Sequence, residues 1–161
     1  HIYAEVLGYA SSSDAYHVAA PNPEGAGARR AMQWALDDAH INADEIQYIN
    51  AHGTSTQAND KIETLAIKHV FGESAYNIPI SSTKSMIGHA MAGCGALELS
   101  ACLMSLKNKI LHPTINYETP DPECDLDYVP NVARSVPDLT TVMSNSFGLG
   151  GQNASIVVRS I

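Results

Sequence analysis

With 161 residues, 45% of them hydrophobic and 16% charged, the chain can bury one ordinary core, which excludes disorder and sets the expectation at a single globular domain. Nine Lys and Arg against 17 Asp and Glu leave a net charge of -8, and the longest basic cluster is Arg29-Arg30, too little concentrated positive charge for a nucleic-acid partner. No apolar run approaches the roughly 20 residues of a membrane span, and no charged stretch followed by an apolar core opens the chain, so no membrane partner is expected either. Three cysteines, Cys94, Cys102 and Cys124, are odd in number and lack metal-ligand spacing, as suits free thiols in a reducing, cytoplasmic compartment. The chain opens at His1, already inside an alternating apolar stretch, so residues upstream are expected, and the apparent lack of a targeting signal carries little weight.

In chain order, residues 2–9 mix β-branched, aromatic and apolar side chains and predict a strand, ended by a polar turn at Ser11-Ser12-Ser13-Asp14. After a loop with Pro21 and Pro23, the apolar positions Ala31, Met32, Ala35, Leu36 and Ala39 recur at helical spacing and predict a helix over 24–40 with one buried face. Residues 45–51 predict a core strand leading to His52. Asp60-Lys61-Ile62-Glu63 has the form of a helix start, continued by Ile62, Leu65, Ala66, His69 and Val70 until Gly72 stops it. A short Ile78-Pro79-Ile80 segment leads to Ser81-Ser82-Thr83-Lys84, and 90–107 predict a mostly buried helix. Two strands, 141–145 and 154–158, flank the Gly-rich Phe147-Gly148-Leu149-Gly150-Gly151. Strands alternating with helices imply a layered α/β fold.

Two histidines carry the chemical interest. His52 follows a predicted strand and precedes Gly53-Thr54-Ser55-Thr56, where a small residue and three hydroxyls leave room for a polar ligand. The competing reading is a loop histidine that only caps local backbone. His89 ends Lys84-Ser85-Met86-Ile87-Gly88-His89 and could equally be a helix-start residue. Neither has the i, i+3 or i, i+4 neighbour that zinc sites usually use, so no metal is expected. Gly88 to Gly93 has phosphate-loop spacing, but Cys94-Gly95 stands where Lys-Ser/Thr is required, which argues against nucleotide binding. Asp60 and Glu63 read as structural carboxylates of a helix start rather than a catalytic pair. Lys84 is either a solvated loop lysine or a charge near the histidines, neutralised by a carboxylate such as Glu63. Cys94 has no local base and reads as a small buried thiol. The Gly-rich turn at 148–151 could present backbone amides to an oxyanion.

Taken together, Asn50-Ala51-His52-Gly53-Thr54-Ser55-Thr56, Asn59-Asp60-Lys61-Ile62-Glu63, Ser81-Ser82-Thr83-Lys84-Ser85-Met86-Ile87-Gly88-His89 and Asn145-Ser146-Phe147-Gly148-Leu149-Gly150-Gly151 resemble the β-ketoacyl-[acyl carrier protein] synthase II family of bacterial fatty acid synthesis. The similarity covers essentially the whole chain. It implies a thiolase-like fold of two similar α/β halves, with residues 1–161 as the carboxyl-terminal half and the nucleophilic cysteine in the absent first half. It implies an acyl chain held as a thioester on that cysteine and a malonyl group delivered on the pantetheine arm of acyl carrier protein, without a further cofactor. His52 and His89 would donate hydrogen bonds to the malonyl thioester carbonyl as carbon dioxide leaves. Lys84, paired with Glu63, would act electrostatically and structurally, Thr54 and Thr56 would touch pantetheine, and the Leu149 amide would serve a second oxyanion hole. The N-terminal half of the same subunit, acyl carrier protein and a second subunit of a homodimer are the implied partners.

Two positions depart from the family pattern: Leu149 replaces an aromatic gate, and Ala19 stands where a hydroxyl often faces pantetheine. A polyketide ketosynthase would more often read His-Gly-Thr-Gly-Thr at 52–56, and a thiolase would carry a second catalytic cysteine in the loop at 145–148. The non-enzyme alternative is a catalytically silent chain-length factor, distinguished by the residue at the upstream nucleophile position.

Overall fold

The computed structural model describes all 161 residues. Its centre is a five-stranded mixed sheet in the order β1-β7-β6-β2-β3, with β1 at Glu5–Ser13, β2 at Tyr48–Asn50, β3 at Ile80–Ser81, β6 at Thr141–Gly148 and β7 at Gln152–Arg159. β1 and β6 pair antiparallel with β7, whereas β2 runs parallel to both β6 and β3. A separate antiparallel pair joins β4 (Ile110–Leu111) to β5 (Arg134–Ser135).

Side-chain alternation along the strands builds two cores, one on each face. Ile49, Met143 and Val157 point to one side, where they meet Met32, Leu36 and Ile67 from α1 (Ala26–Ala39) and α2 (Asn59–Phe71). Their neighbours Tyr48, Val142 and Val158 point to the other side, against Cys102 and Leu106 of α4 (Cys94–Asn108). The result is three layers, with helices on both faces of the sheet. Burying one Leu or Met side chain stabilises a fold by roughly 1.5–3 kcal/mol, so the repeated apolar face of α1 is what holds it down.

Most expected elements are present, with instructive shifts. The first strand runs on through Ser11, Ser12 and Ser13 instead of turning there, because these residues register against Ala154, Asn153 and Gln152 of β7. The strand before His52 shortens to three residues, preceded by a 3-10 turn at Ala43–Glu45. A one-turn helix absent from the sequence reading, α3 at Lys84–Ile87, carries Lys84. The last helix begins at Cys94 after a 3-10 turn at Met91–Gly93, and it is buried on one face only: Glu98 and Cys102 point in, while Leu97 and Met104 remain 46% and 44% exposed. Its run of apolar residues predicted a mostly buried helix, but no layer within these 161 residues covers the second face. No helix is long and apolar enough to cross a membrane.

Candidate active site

His52 lies two residues past β2, on a turn pinned from below by α2. The backbone N–H groups of His52 and Gly53 donate to the two oxygens of Glu63, each at 2.9 Å. Ser55 N–H donates to Asp60 at 3.1 Å, and Asn59 reaches both carboxylates. Gly53 sits at φ +45°, and a Cβ there would come within 2.7 Å of the Ser82 Cβ, so only glycine suits both the backbone and the space. Asp60 and Glu63 therefore hold the turn that presents His52. Asp60 does occupy the first turn of α2, but the N-cap residue Ala58 makes no side-chain capping hydrogen bond and Asp60 accepts from Ser55 N–H instead; the capping explanation of the pair gives way to this one. Burial raises the pKa of Glu63 and, less completely buried, of Asp60, against the lowering effect of those N–H donors.

The expected Lys84–Glu63 pair does not form. Both Glu63 oxygens are occupied by the loop amides, and Lys84 instead pairs with Glu98 of α4. Both partners are almost fully buried, with 4% and 1% of their side chains exposed. The second Glu98 oxygen has no hydrogen-bond partner, and burial raises the Glu98 pKa against the opposing pull of Lys84. Glu98 escaped the sequence reading, although a lone acid in the apolar stretch from Cys94 to Leu106 was a usable signal: a charge in a buried face needs a partner.

His52 and His89 come together. Their ring centroids are 5.7 Å apart in an edge arrangement, with Phe147 of β6 5.9 Å from His52. His52 is 8% exposed, and its pKa is lowered to about 3, first by burial, then by the charges of Lys84 and His89. It is therefore neutral at ordinary pH, a hydrogen-bond donor through one nitrogen rather than a cation. Its Nδ1 is buried without a protein partner. His89 Nδ1 accepts the Met91 N–H at 2.9 Å and lies 3.2 Å from Cys94 Sγ, so its proton is assigned to Nε2. Cys94 thus has the histidine neighbour that its local sequence lacked, brought there by the turn between α3 and α4.

Both histidines line an open cleft of about 1480 Å³, together with Thr54, Thr56, Cys94, Phe147 and Leu149. The Thr54 and Thr56 hydroxyls are 3.1 Å apart. Leu149 is 74% exposed at the tip of the β6–β7 hairpin, where Gly150 and Gly151 take positive φ, and its N–H meets no protein acceptor. A smaller cavity of about 540 Å³ behind the loop contains neither histidine. Nowhere do three or more His, Cys, Asp or Glu side chains converge as a metal cluster would require.

The model of the beta-ketoacyl synthase C-terminal domain matches residues 3–118, and the chain belongs to that family. It is similar in particular to 3-oxoacyl-[acyl-carrier-protein] synthase 2: it is 52% identical over 158 residues to the enzyme of a Synechocystis species, covering 98% of this chain and 38% of the relative. The Staphylococcus aureus protein of the same name is also 52% identical, over 159 residues, covering 99% of this chain and 39% of the relative. The chain thus spans less than two fifths of the length of these relatives, somewhat less than the half expected, at 38% and 39%. A type II polyketide ketosynthase, solved in complex with its acyl carrier protein and bound to the hexaketide, superposes with a TM-score of 0.97 at 48% identity, covering 100% of this chain and 39% of that one. A β-ketoacyl synthase from Burkholderia phymatum superposes with a TM-score of 0.93 at 41% identity, covering 100% of this chain and 38% of that one. The fold is the expected thiolase-like α/β fold of ketosynthases.

Proposed function

We propose that this chain is the malonyl-decarboxylating part of a β-ketoacyl-[acyl carrier protein] synthase II that elongates fatty acids by decarboxylative Claisen condensation. The observation that carries this reading is the pair of histidine rings 5.7 Å apart in one cleft, over the buried Lys84–Glu98 pair. His52 and His89 donate N–H hydrogen bonds to the thioester carbonyl of a malonyl group on the pantetheine of acyl carrier protein. The bond to the malonyl carboxylate breaks, carbon dioxide leaves, and its electron pair is held as an enolate by the two donors. The enolate carbon attacks an acyl thioester on a cysteine of the upstream part of the subunit; a carbon–carbon bond forms and the cysteine thiolate departs. Electrons balance without a redox group.

Lys84 acts through charge: it helps to keep His52 neutral, and Glu98 holds it in place. Thr54 and Thr56 contact pantetheine, and the unengaged Leu149 amide stabilises the tetrahedral intermediate of acyl transfer. The exposed apolar face of α4, with Leu97 and Met104, receives the N-terminal part of the same subunit, and the complete protein acts in the cytoplasm as a homodimer.

In the full-length subunit, His52→Ala or His89→Ala is expected to lower malonyl decarboxylation by about 10²-fold, the usual loss for one oxyanion donor. Decarboxylation unchanged in both variants overturns the assignment. A polyketide ketosynthase is the second reading, favoured by the 48% identity to the polyketide enzyme solved with its carrier protein. Saturated acyl thioesters and poly-β-keto thioesters offered to the same subunit separate the two, since only the first are intermediates of fatty acid elongation. A silent partner is identified by the lack of any upstream thiol that labels with iodoacetamide.

A further inference from the structure

His112 lies just past β4 and lines neither the histidine cleft nor the cavity behind it. Its ring nevertheless meets polar groups from three segments that lead to the site. Nε2 is 3.0 Å from Tyr48 Oη and 3.2 Å from Asn50 Nδ2, both on β2, which ends two residues before His52. The same nitrogen is 3.0 Å from the Thr83 hydroxyl, directly before Lys84. Nδ1 is 3.2 Å from the Ser81 hydroxyl of β3 and 3.3 Å from the Pro113 carbonyl oxygen. A carbonyl oxygen only accepts, so the proton belongs on Nδ1, and Nε2 is left as an acceptor facing two hydroxyls and an amide N–H that can each donate. Burial lowers the His112 pKa, in keeping with a neutral ring.

The contacts continue along the chain. The Ser82 N–H donates to Thr114 Oγ1 at 3.1 Å, and the Ile115 N–H donates to Ser85 Oγ at 3.0 Å, so residues 112–115 run as a strap along residues 81–85. Ser82 Oγ in turn donates to the Gly53 carbonyl at 2.6 Å. The segment that carries Lys84 is therefore tied both to the strand entering His52 and to the turn leaving it.

We propose that His112 is a positioning residue of the condensing site: through Tyr48, Asn50 and Thr83 it registers the Lys84 turn against the strand that ends at His52. It touches no substrate. The proposal rests on the function argued above for His52 and Lys84. Without the imidazole, the Thr83 and Tyr48 hydroxyls lose a shared acceptor and the two segments lose their common pin, while the apolar cores stay intact.

The test uses the full-length subunit with His112→Ala and His112→Gln, reading malonyl decarboxylation, melting temperature and the imidazole 15N resonances of His52. The resonances are independent of turnover: a wild-type subunit without decarboxylase activity defeats the proposed function, and the resonances alone still decide the positioning role. His112→Ala is expected to lower kcat on the order of tenfold, as a displaced catalytic group does, and to shift the His52 resonances. KM stays within about twofold, because no substrate contact is lost. His112→Gln, whose amide keeps one donor and one acceptor, restores kcat and the resonances. Should His112→Ala not fold, Thr83→Val removes the hydroxyl that faces Nε2 and that also accepts from Asn50 Nδ2 at 2.6 Å, and is expected to act in the same direction. Unmoved His52 resonances in the alanine variant, or a folded glutamine variant no better than alanine, overturn the proposal.

Discussion

At the scale of the residue, the site turns on how burial sets charge. His52 is held neutral because an imidazolium there would lose its hydration and face Lys84 and His89. The folded pKa of about 3 lies below the ordinary histidine value of about 6.5, so the native state binds fewer protons than the unfolded state between those values. Native stability is accordingly lost as pH falls from about 6.5 toward 3, and nothing is contributed above that window. Denaturant melts of the full-length subunit and of His52→Gln across this range are expected to converge or cross as pH falls, with the wild type losing more. Equal acid sensitivity of the two proteins contradicts the buried-neutral assignment. Lys84 and Glu98 are buried as a pair in which each is the other's partner, and removing one strands the other, a loss of about 3–5 kcal/mol where such pairs are broken.

At the scale of the element, close approach decides what the sequence can tolerate. β1 is crossed so tightly by α1 that a Cβ at Gly8 would overlap the Ala35 carbonyl oxygen and sit 2.8 Å from the Ala39 Cβ. Both obstacles belong to helix backbone or its first side-chain atom, so neither can swing aside. Gly8→Ala is expected to destabilise the protein by about 1–3 kcal/mol, the usual range for an overpacked contact, read as a lower urea midpoint. A midpoint equal to wild type would mean that α1 lifts from the sheet at little cost. The turn at 52–55 is the second such case: Asp60 and Glu63 of α2 and the glycine of the turn place His52, to which the proposed chemistry belongs.

At the scale of the whole molecule, the cleft is open and α4 has a bare apolar face; the proposed function makes the chain one part of a two-part catalytic unit. The purified 161-residue chain is expected to show no condensation of acyl and malonyl thioesters, because the acyl-bearing thiol is proposed to lie elsewhere in the subunit. Turnover by a contaminant-free preparation, followed as β-ketoacyl product by mass spectrometry, would overturn that division of labour.

Local pattern alone determined a good deal. Helical spacing of Ala31, Met32, Ala35 and Leu36 identified the buried face of α1, and the resemblance of four short motifs to a known family pointed to His52, His89 and the Gly-rich hairpin, since period and motif are properties of neighbouring residues. The tertiary structure decided which distant groups meet. Lys84 could have been neutralised by any acid in the chain; burial of α4 against the sheet chose Glu98, while the loop amides had already claimed Glu63. Cys94 gained His89 through a turn that no spacing rule describes, and His112 joined Tyr48, Ser81 and Thr83 from 29 to 64 residues away. Hydrogen-bond and charge partners are selected by desolvation after the layers have packed, and for that reason they were not legible one residue at a time.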